Sequence, residues 1–168
     1  MRELIRRRRR RLNALACLAM AALLAGAYGL EYLGGMEPCP LCIFQRLVVL
    51  GLTVVFLAAA LHDPRGDWGS RVYGVLTALV ALIGMGIAGR HLWLQSLPPE
   101  DVPACGPGLD YMVETMPLTQ TLTNVLTGSG QCAEVEPVLG LPIPVWTMAA
   151  FVAALVWGLG VNWPRSRG

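Results

Sequence analysis

The chain has no lysine, only two histidines and three phenylalanines, and just 14% of its 168 residues are charged. A soluble domain carries about 25% charged residues, so this scarcity of charge excludes an ordinary soluble globule. The scarcity of histidine works against a structural zinc site, which needs a second close cysteine pair or histidines. Beyond one arginine run there is no low-complexity linker and no internal repeat, so residues 1–168 are expected to form a single membrane domain.

What the chain has instead is apolar sequence, 55% of the total. It falls into four runs, at about 12–33, 41–61, 72–94 and 144–163. A helix needs about 20 apolar residues to cross the hydrocarbon core, and roughly 17 is the lower limit. Four such runs in so short a chain predict an all-α membrane protein, a four-transmembrane-helix bundle.

The 13 basic residues are all arginine, and they are unevenly placed. Arg2 and Arg6 to Arg11 precede the first run, Arg65 and Arg71 bracket the second connection, and Arg165 and Arg167 follow the fourth run. From residue 92 to 146 there is no basic residue, but there are Glu100, Asp101, Asp110, Glu114, Glu134 and Glu136. Basic loops stay in the cytoplasm. Both termini are therefore expected inside, and residues 34–40 and the long loop 93–143 outside. Topology accounts for the arginines, so no nucleic-acid partner is expected. The arginines, the first apolar run and Ala25-Gly26-Ala27 also fit a cleaved signal peptide; the run is long for one, and either route leaves Cys39 outside. Within the outer loop Leu118, Leu122, Val125 and Leu126 have the spacing of a short amphipathic helix on the membrane surface. Thr119, Thr121 and Thr123 weaken that helix, and a plain loop is the alternative.

Five cysteines are present. Cys17 falls inside the first span and reads as a small apolar filler. Cys39, Cys42, Cys105 and Cys132 all fall on the outer, oxidising side, where disulfides persist. The first two stand in Glu37-Pro38-Cys39-Pro40-Leu41-Cys42, and a two-residue gap suits a readily cycled disulfide. Haem attachment would need a histidine where Ile43 stands, and a thioredoxin-like fold would need a βαβ pattern. Cys105 and Cys132 are separated by 26 residues, so a bond between them would constrain the loop by about 3–4 kcal/mol on chain-entropy grounds. Structural staples remain an alternative for both pairs.

The neighbouring charges favour chemistry. Pro40 suits the first position of a helix, which puts Cys42 in the first turn, where the helix dipole favours a thiolate. Arg46 follows at i+4 on the same face, and a charge within a span is costly and usually functional. Arg90 and His91 end the third run at the same depth. Arg46 and His91 are thus expected to form a pocket for a lipid-soluble acceptor with carbonyl oxygens, with Gln95 as a weaker candidate.

Taken together, Cys39-Pro40-Leu41-Cys42-Ile43-Phe44-Gln45-Arg46, Arg90-His91, Cys105, Gly130-Gln131-Cys132-Ala133-Glu134 and Leu139-Gly140-Leu141-Pro142 resemble the disulfide bond formation protein B (DsbB) family over nearly the whole chain. The resemblance implies a bacterial inner-membrane oxidoreductase in which Cys39, Cys42, Cys105 and Cys132 are catalytic. It implies that a periplasmic dithiol protein similar to DsbA attacks Cys105 and that Cys105–Cys132 exchanges with Cys39–Cys42. Cys42, beside Arg46, would then pass electrons to ubiquinone or menaquinone from the membrane pool, with no metal. Some members carry an aromatic residue where Val135-Glu136-Pro137-Val138 has none. Relatives of vitamin K epoxide reductase have their close cysteine pair late in the chain, unlike this one. A non-catalytic disulfide-stapled scaffold or transport subunit would have no use for the Cys42–Arg46 spacing.

Overall fold

The computed structural model describes residues 2–64, 66–104, 109–135 and 137–163. Cys105, Arg65, Glu136, Arg165 and Arg167 lie outside the described residues. Four long helices carry the fold: α1 (Arg2–Tyr32), α2 (Pro40–His62), α3 (Asp67–Gln95) and, after the long loop, α7 (Ile143–Asn162). Each contains a stretch long and apolar enough to cross a membrane. The ends follow local chemistry. Cys39, extended at φ −66° and ψ 161°, caps α2 with Pro40 as its first helical residue. Asp63 in the left-handed region ends α2, and Pro64 follows where a helix cannot continue.

The helices form a bundle in which α1 packs on α2, α2 on α3, α3 on α7 and α7 back on α1. Its centre is built from Val49, Leu52 and Phe56 of α2, Ala81 and Ala88 of α3, and Phe151 and Ala154 of α7. Cys17 is partly buried against this cluster. Small residues let α3 and α7 approach closely. A Cβ on Gly84 would lie 2.7 Å from the Phe151 ring, and one on Gly158 would lie 2.4 Å from Thr77 Cγ2. Leu15, Leu18, Leu47, Val54, Leu79, Ile83 and Val156 face outward, a lipid-facing surface of the kind a spanning bundle presents.

The first turns of α1, the α2–α3 connection and the last turn of α7 lie at one end of the bundle. There Arg6 Nε pairs with Asp63 Oδ2 at 2.9 Å, and Arg9 donates to the Pro64 carbonyl. Asn13 and Asn162, both buried, exchange amide hydrogen bonds at 3.0 and 3.1 Å.

The opposite end is covered by the segment between α3 and α7. It contains a 3₁₀ turn (Pro99–Asp101), α4 (Leu109–Thr115), α5 (Leu118–Thr127), α6 (Gly130–Ala133) and a two-residue hairpin, β1 (Pro137–Val138) with β2 (Leu141–Pro142). Of the two readings of residues 118–126, the helix is the one found. Its threonines do not break it, because Thr121, Thr123 and Thr127 donate to carbonyls four residues back. Its apolar residues divide, however: Thr121 and Val125 face the bundle, whereas Leu118, Leu122 and Leu126 are exposed.

Three contacts from α3 hold this cover down. Arg90 donates to the last carbonyls of α5, Leu126 O at 3.1 Å and Thr127 O at 2.7 Å, while its guanidinium lies 4.1 Å over the Trp93 ring. Gly128, at φ +86°, sits so close to Leu94 that a Cβ would come within 2.3 Å of its Cδ1. Gln95 Nε2 donates to Glu134 O at 3.1 Å.

Candidate redox site

The cap of α2 and the three anchors of the cover bring sulfur to one place. Cys39 Sγ accepts from the Cys42 backbone N–H at 3.4 Å, which turns the Cys42 side chain back until the two sulfurs are 3.2 Å apart. Cys132, on α6, is fully buried in one apolar cluster with Cys39, Leu41 and Leu94. Ser129 Oγ lies 3.8 Å from its sulfur, and the nearby Cys39 sulfur together with burial pushes its thiol well above the ordinary pKa. Cys39 and Cys132 thus share one buried cluster, with Cys42 packed against it. Gly130 N–H donates to Ala104 O at 3.4 Å, so the residue preceding Cys105 runs beside the helix that carries Cys132.

His91 is buried with Nε2 at 3.8 Å from Cys39 Sγ. Its Nδ1 lies 3.1 Å from Gln45 Nε2, and Gln45 Oε1 accepts from Thr147 Oγ1 at 2.6 Å. Residues of α7, α2 and α3 are thereby linked in one row. Gln95 Nε2 comes to 3.5 Å from His91 Nε2, and Gln95 Oε1 is buried with no protein partner among the described residues.

Arg46 points the other way, towards α1. It pairs with Glu31, donates to Ala27 O at 3.1 Å and lies 5.1 Å over the Tyr28 ring. The single pocket expected to hold both Arg46 and His91 is therefore replaced by two cavities that share Cys42. One is apolar, between α1, α2 and α7, and is lined by Leu24, Ala27, Glu31, Cys42, Gln45, Arg46 and Thr147. The other, of about 320 Å³, is polar and lined by Cys39, Cys42, His91, Gln95, Gln131 and Glu134. The separation is one of helix rotation: Arg46 and Gln45 are adjacent in sequence and so project about 100° apart around α2.

Three participants were not singled out by sequence reasoning. Gln45 is an uncharged residue inside a recognised motif, and Thr147 looks like any span threonine. Glu31 did leave a signal, since an acidic residue at the end of an apolar run calls for a cation, and Arg46 is the basic residue at matching depth. For a quinone, the apolar cavity fits in kind: apolar walls for a ring and tail, guanidinium, amide and hydroxyl groups for two carbonyl oxygens, and the Cys42 sulfur beside them.

The family model described as disulfide bond formation protein DsbB matches residues 9–161. Proteins named disulfide bond formation protein B are similar to this chain. That of Chromohalobacter salexigens is 50% identical over 153 residues, 90% of this chain and 89% of the relative. That of Nitrosococcus oceani is 52% identical over 144 residues, covering 83% and 85%. That of Methylococcus capsulatus is 49% identical over 154 residues, covering 91% and 93%.

Proposed function

Because the chain belongs to the DsbB family of disulfide bond formation proteins, we propose that it is a thiol:quinone oxidoreductase that reoxidises a periplasmic dithiol protein of the DsbA type. The observation that carries this reading is the row of sulfurs, with Cys132 and Cys39 in one buried cluster and Cys39 3.2 Å from Cys42. Such a row permits exchange without large movement of the bundle.

A thiolate of the partner attacks Cys105 of a Cys105–Cys132 disulfide, and Cys132 leaves as a thiolate. Exchange proceeds through the attacking thiolate, and Cys132 attacks Cys39, breaking Cys39–Cys42 and releasing Cys42 as a thiolate. The partner's second thiol displaces the mixed disulfide, so the partner leaves oxidised and Cys105 is freed. Cys105 then recaptures Cys132, leaving Cys39 and Cys42 as the reduced pair. A quinone bound in the apolar cavity supplies the sink for two electrons and two protons, and Cys39–Cys42 is restored. Arg46 and Gln45 orient its oxygens, and Glu31 holds Arg46 in place. His91, aided by Gln95, acts on the opposite side of Cys42, where it stabilises Cys39 and exchanges protons with the polar cavity.

The arginine distribution supports termini in the cytoplasm and the sulfur row at the periplasmic face of the bacterial inner membrane. The exposed Leu118, Leu122 and Leu126 of α5 suit contact with the lipid surface there. The test is anaerobic stopped-flow mixing of a reduced DsbA-type protein with this chain, with and without ubiquinone or menaquinone. Quinone-dependent oxidation of the partner is expected, together with its loss to background in Cys42→Ser. A Cys42→Ser protein that reduces quinone at the normal rate overturns the route.

A further inference from the structure

The sequence argues against a metal because it offers no second close cysteine pair and only two histidines, His62 and His91. The fold removes that objection. Cys39 Sγ, Cys42 Sγ and His91 Nε2 all lie within 4.8 Å of one another. We propose that the dithiol form of Cys39 and Cys42, with His91, is a binding site for a thiophilic divalent cation of the zinc class, and that occupancy withholds the pair from oxidation.

The geometry is close to what the ion needs. Zinc bound tetrahedrally, with Zn–S about 2.3 Å and Zn–N about 2.0–2.1 Å, sets its ligands about 3.8 Å (S···S) and about 3.6 Å (S···N) apart. The observed separations are 3.2 Å between the sulfurs, 3.8 Å from Cys39 Sγ to His91 Nε2 and no more than 4.8 Å from Cys42 Sγ to His91, so side-chain shifts of about an ångström or less suffice. The outer shell is also in place. A ligating histidine is normally fixed through its other ring nitrogen. Here the Gln45 amide lies 3.1 Å from Nδ1; turned about its axis so that its oxygen accepts from Nδ1–H, while its NH2 donates to the Thr147 hydroxyl and that hydroxyl donates to Pro144 O, it leaves Nε2 free for the metal.

A fourth position opens on the polar cavity of about 320 Å³, which offers both an entry path and room for a water ligand. Gln95 Oε1 lines this cavity and is buried with no protein partner among the described residues, an acceptor suited to a metal-bound water. Two thiolates and an imidazole select a borderline-soft cation over calcium or magnesium, which take oxygen ligands.

Binding releases two protons, one from each thiol, and involves no change of oxidation state. A Cys39–Cys42 disulfide offers no thiolate, so the site exists only in the reduced state. The inference rests on that reduced state alone and not on a quinone as acceptor.

The full-length chain carrying Cys105→Ser and Cys132→Ser leaves Cys39 and Cys42 as its only thiol pair. After reduction with a phosphine and desalting without oxygen, it is titrated with Co²⁺ as an optical probe and then with Zn²⁺. We expect one Co²⁺ per chain with tetrahedral thiolate absorption, displacement by Zn²⁺, and no such absorption from the same protein in its disulfide form. That comparison needs no further substitution, so misfolding cannot obscure it. His91→Ala should weaken Zn²⁺ binding by about tenfold or more, and Gln45→Leu by about 10–100-fold. Equal binding by the disulfide form, or affinity within twofold of the parent after His91→Ala, overturns the site. Failure of quinone reduction with Co²⁺ binding intact would count against the thiol:quinone reading alone.

Discussion

Along the seam between two of the four long helices, α3 and α7, Phe151 fills the space over Gly84 and Thr77 fills the space over Gly158. At the cysteine end the same four helices enclose a polar cavity, an apolar cavity and a glutamine oxygen with no protein partner among the described residues. The first region is packed as closed protein interiors are, where a methyl group too many is already felt. The second keeps space and unspent hydrogen-bonding capacity around three sulfurs. The contrast separates residues that hold the bundle together from residues that work on a visiting molecule, although both kinds are buried.

Substitutions in the two regions should therefore fail in different ways. The largest effect short of losing a sulfur is expected from Arg46→Gln, which removes charge-assisted hydrogen bonds and leaves Glu31 without its cation. A charge-assisted bond contributes about 1.5–3 kcal/mol, so quinone use should weaken by about 10–100-fold, read as KM in steady-state assays. Adding Glu31→Gln should recover thermal stability but not quinone use, because it removes the stranded carboxylate alone.

In the packed α3–α7 seam, Gly84→Ala presses a methyl group onto the Phe151 ring, which cannot swing away as the end of a flexible chain would. Overpacking of this kind costs about 1–3 kcal/mol. The expected outcome is a lower unfolding midpoint with unchanged turnover of the folded fraction. A turnover defect with normal stability would erase the distinction between the two regions.

The smallest effect should come from Arg90→Ala. The end of α5 loses two hydrogen bonds to the guanidinium, of about 1.5–3 kcal/mol each at most and less where solvent reaches them. Amide hydrogen exchange should quicken over residues 126–134 and not in the four long helices. Exchange between Cys132 and Cys39 should slow by a few-fold.

The four spans could be read from the chain because hydropathy is local and additive: runs at about 12–33 and 72–94 became helices that include Tyr32 and Leu94. The start of α2 was equally plain, since Pro40 dictates a first helical turn wherever it is placed. Pairings across helices were not readable in this way. Whether Arg46 meets His91 or Glu31 depends on the rotation of α2 about its axis, which an apolar run on every side leaves open. Position on α5 was hidden for a related reason. The spacing of Leu118, Leu122, Val125 and Leu126 identifies a helix, but Thr121 can be buried because its hydroxyl is satisfied by Met112 O and Pro117 O, and this turns Val125 inward alone. The sulfur row depends on one local fact, the cap at Cys39, and one long-range fact, the anchoring by α3 of the segment that carries α6.

The claim that Cys132 delivers its exchange to Cys39 can be tested without partner or quinone. In the full-length chain with Cys42→Ala and Cys105→Ala, gentle oxidation followed by peptide mapping under non-reducing conditions should recover a Cys39–Cys132 disulfide in most molecules, with Cys17 unmodified. Recovery of Cys39 and Cys132 as free thiols, or of Cys132 bonded to Cys17 or to a second chain, would contradict it.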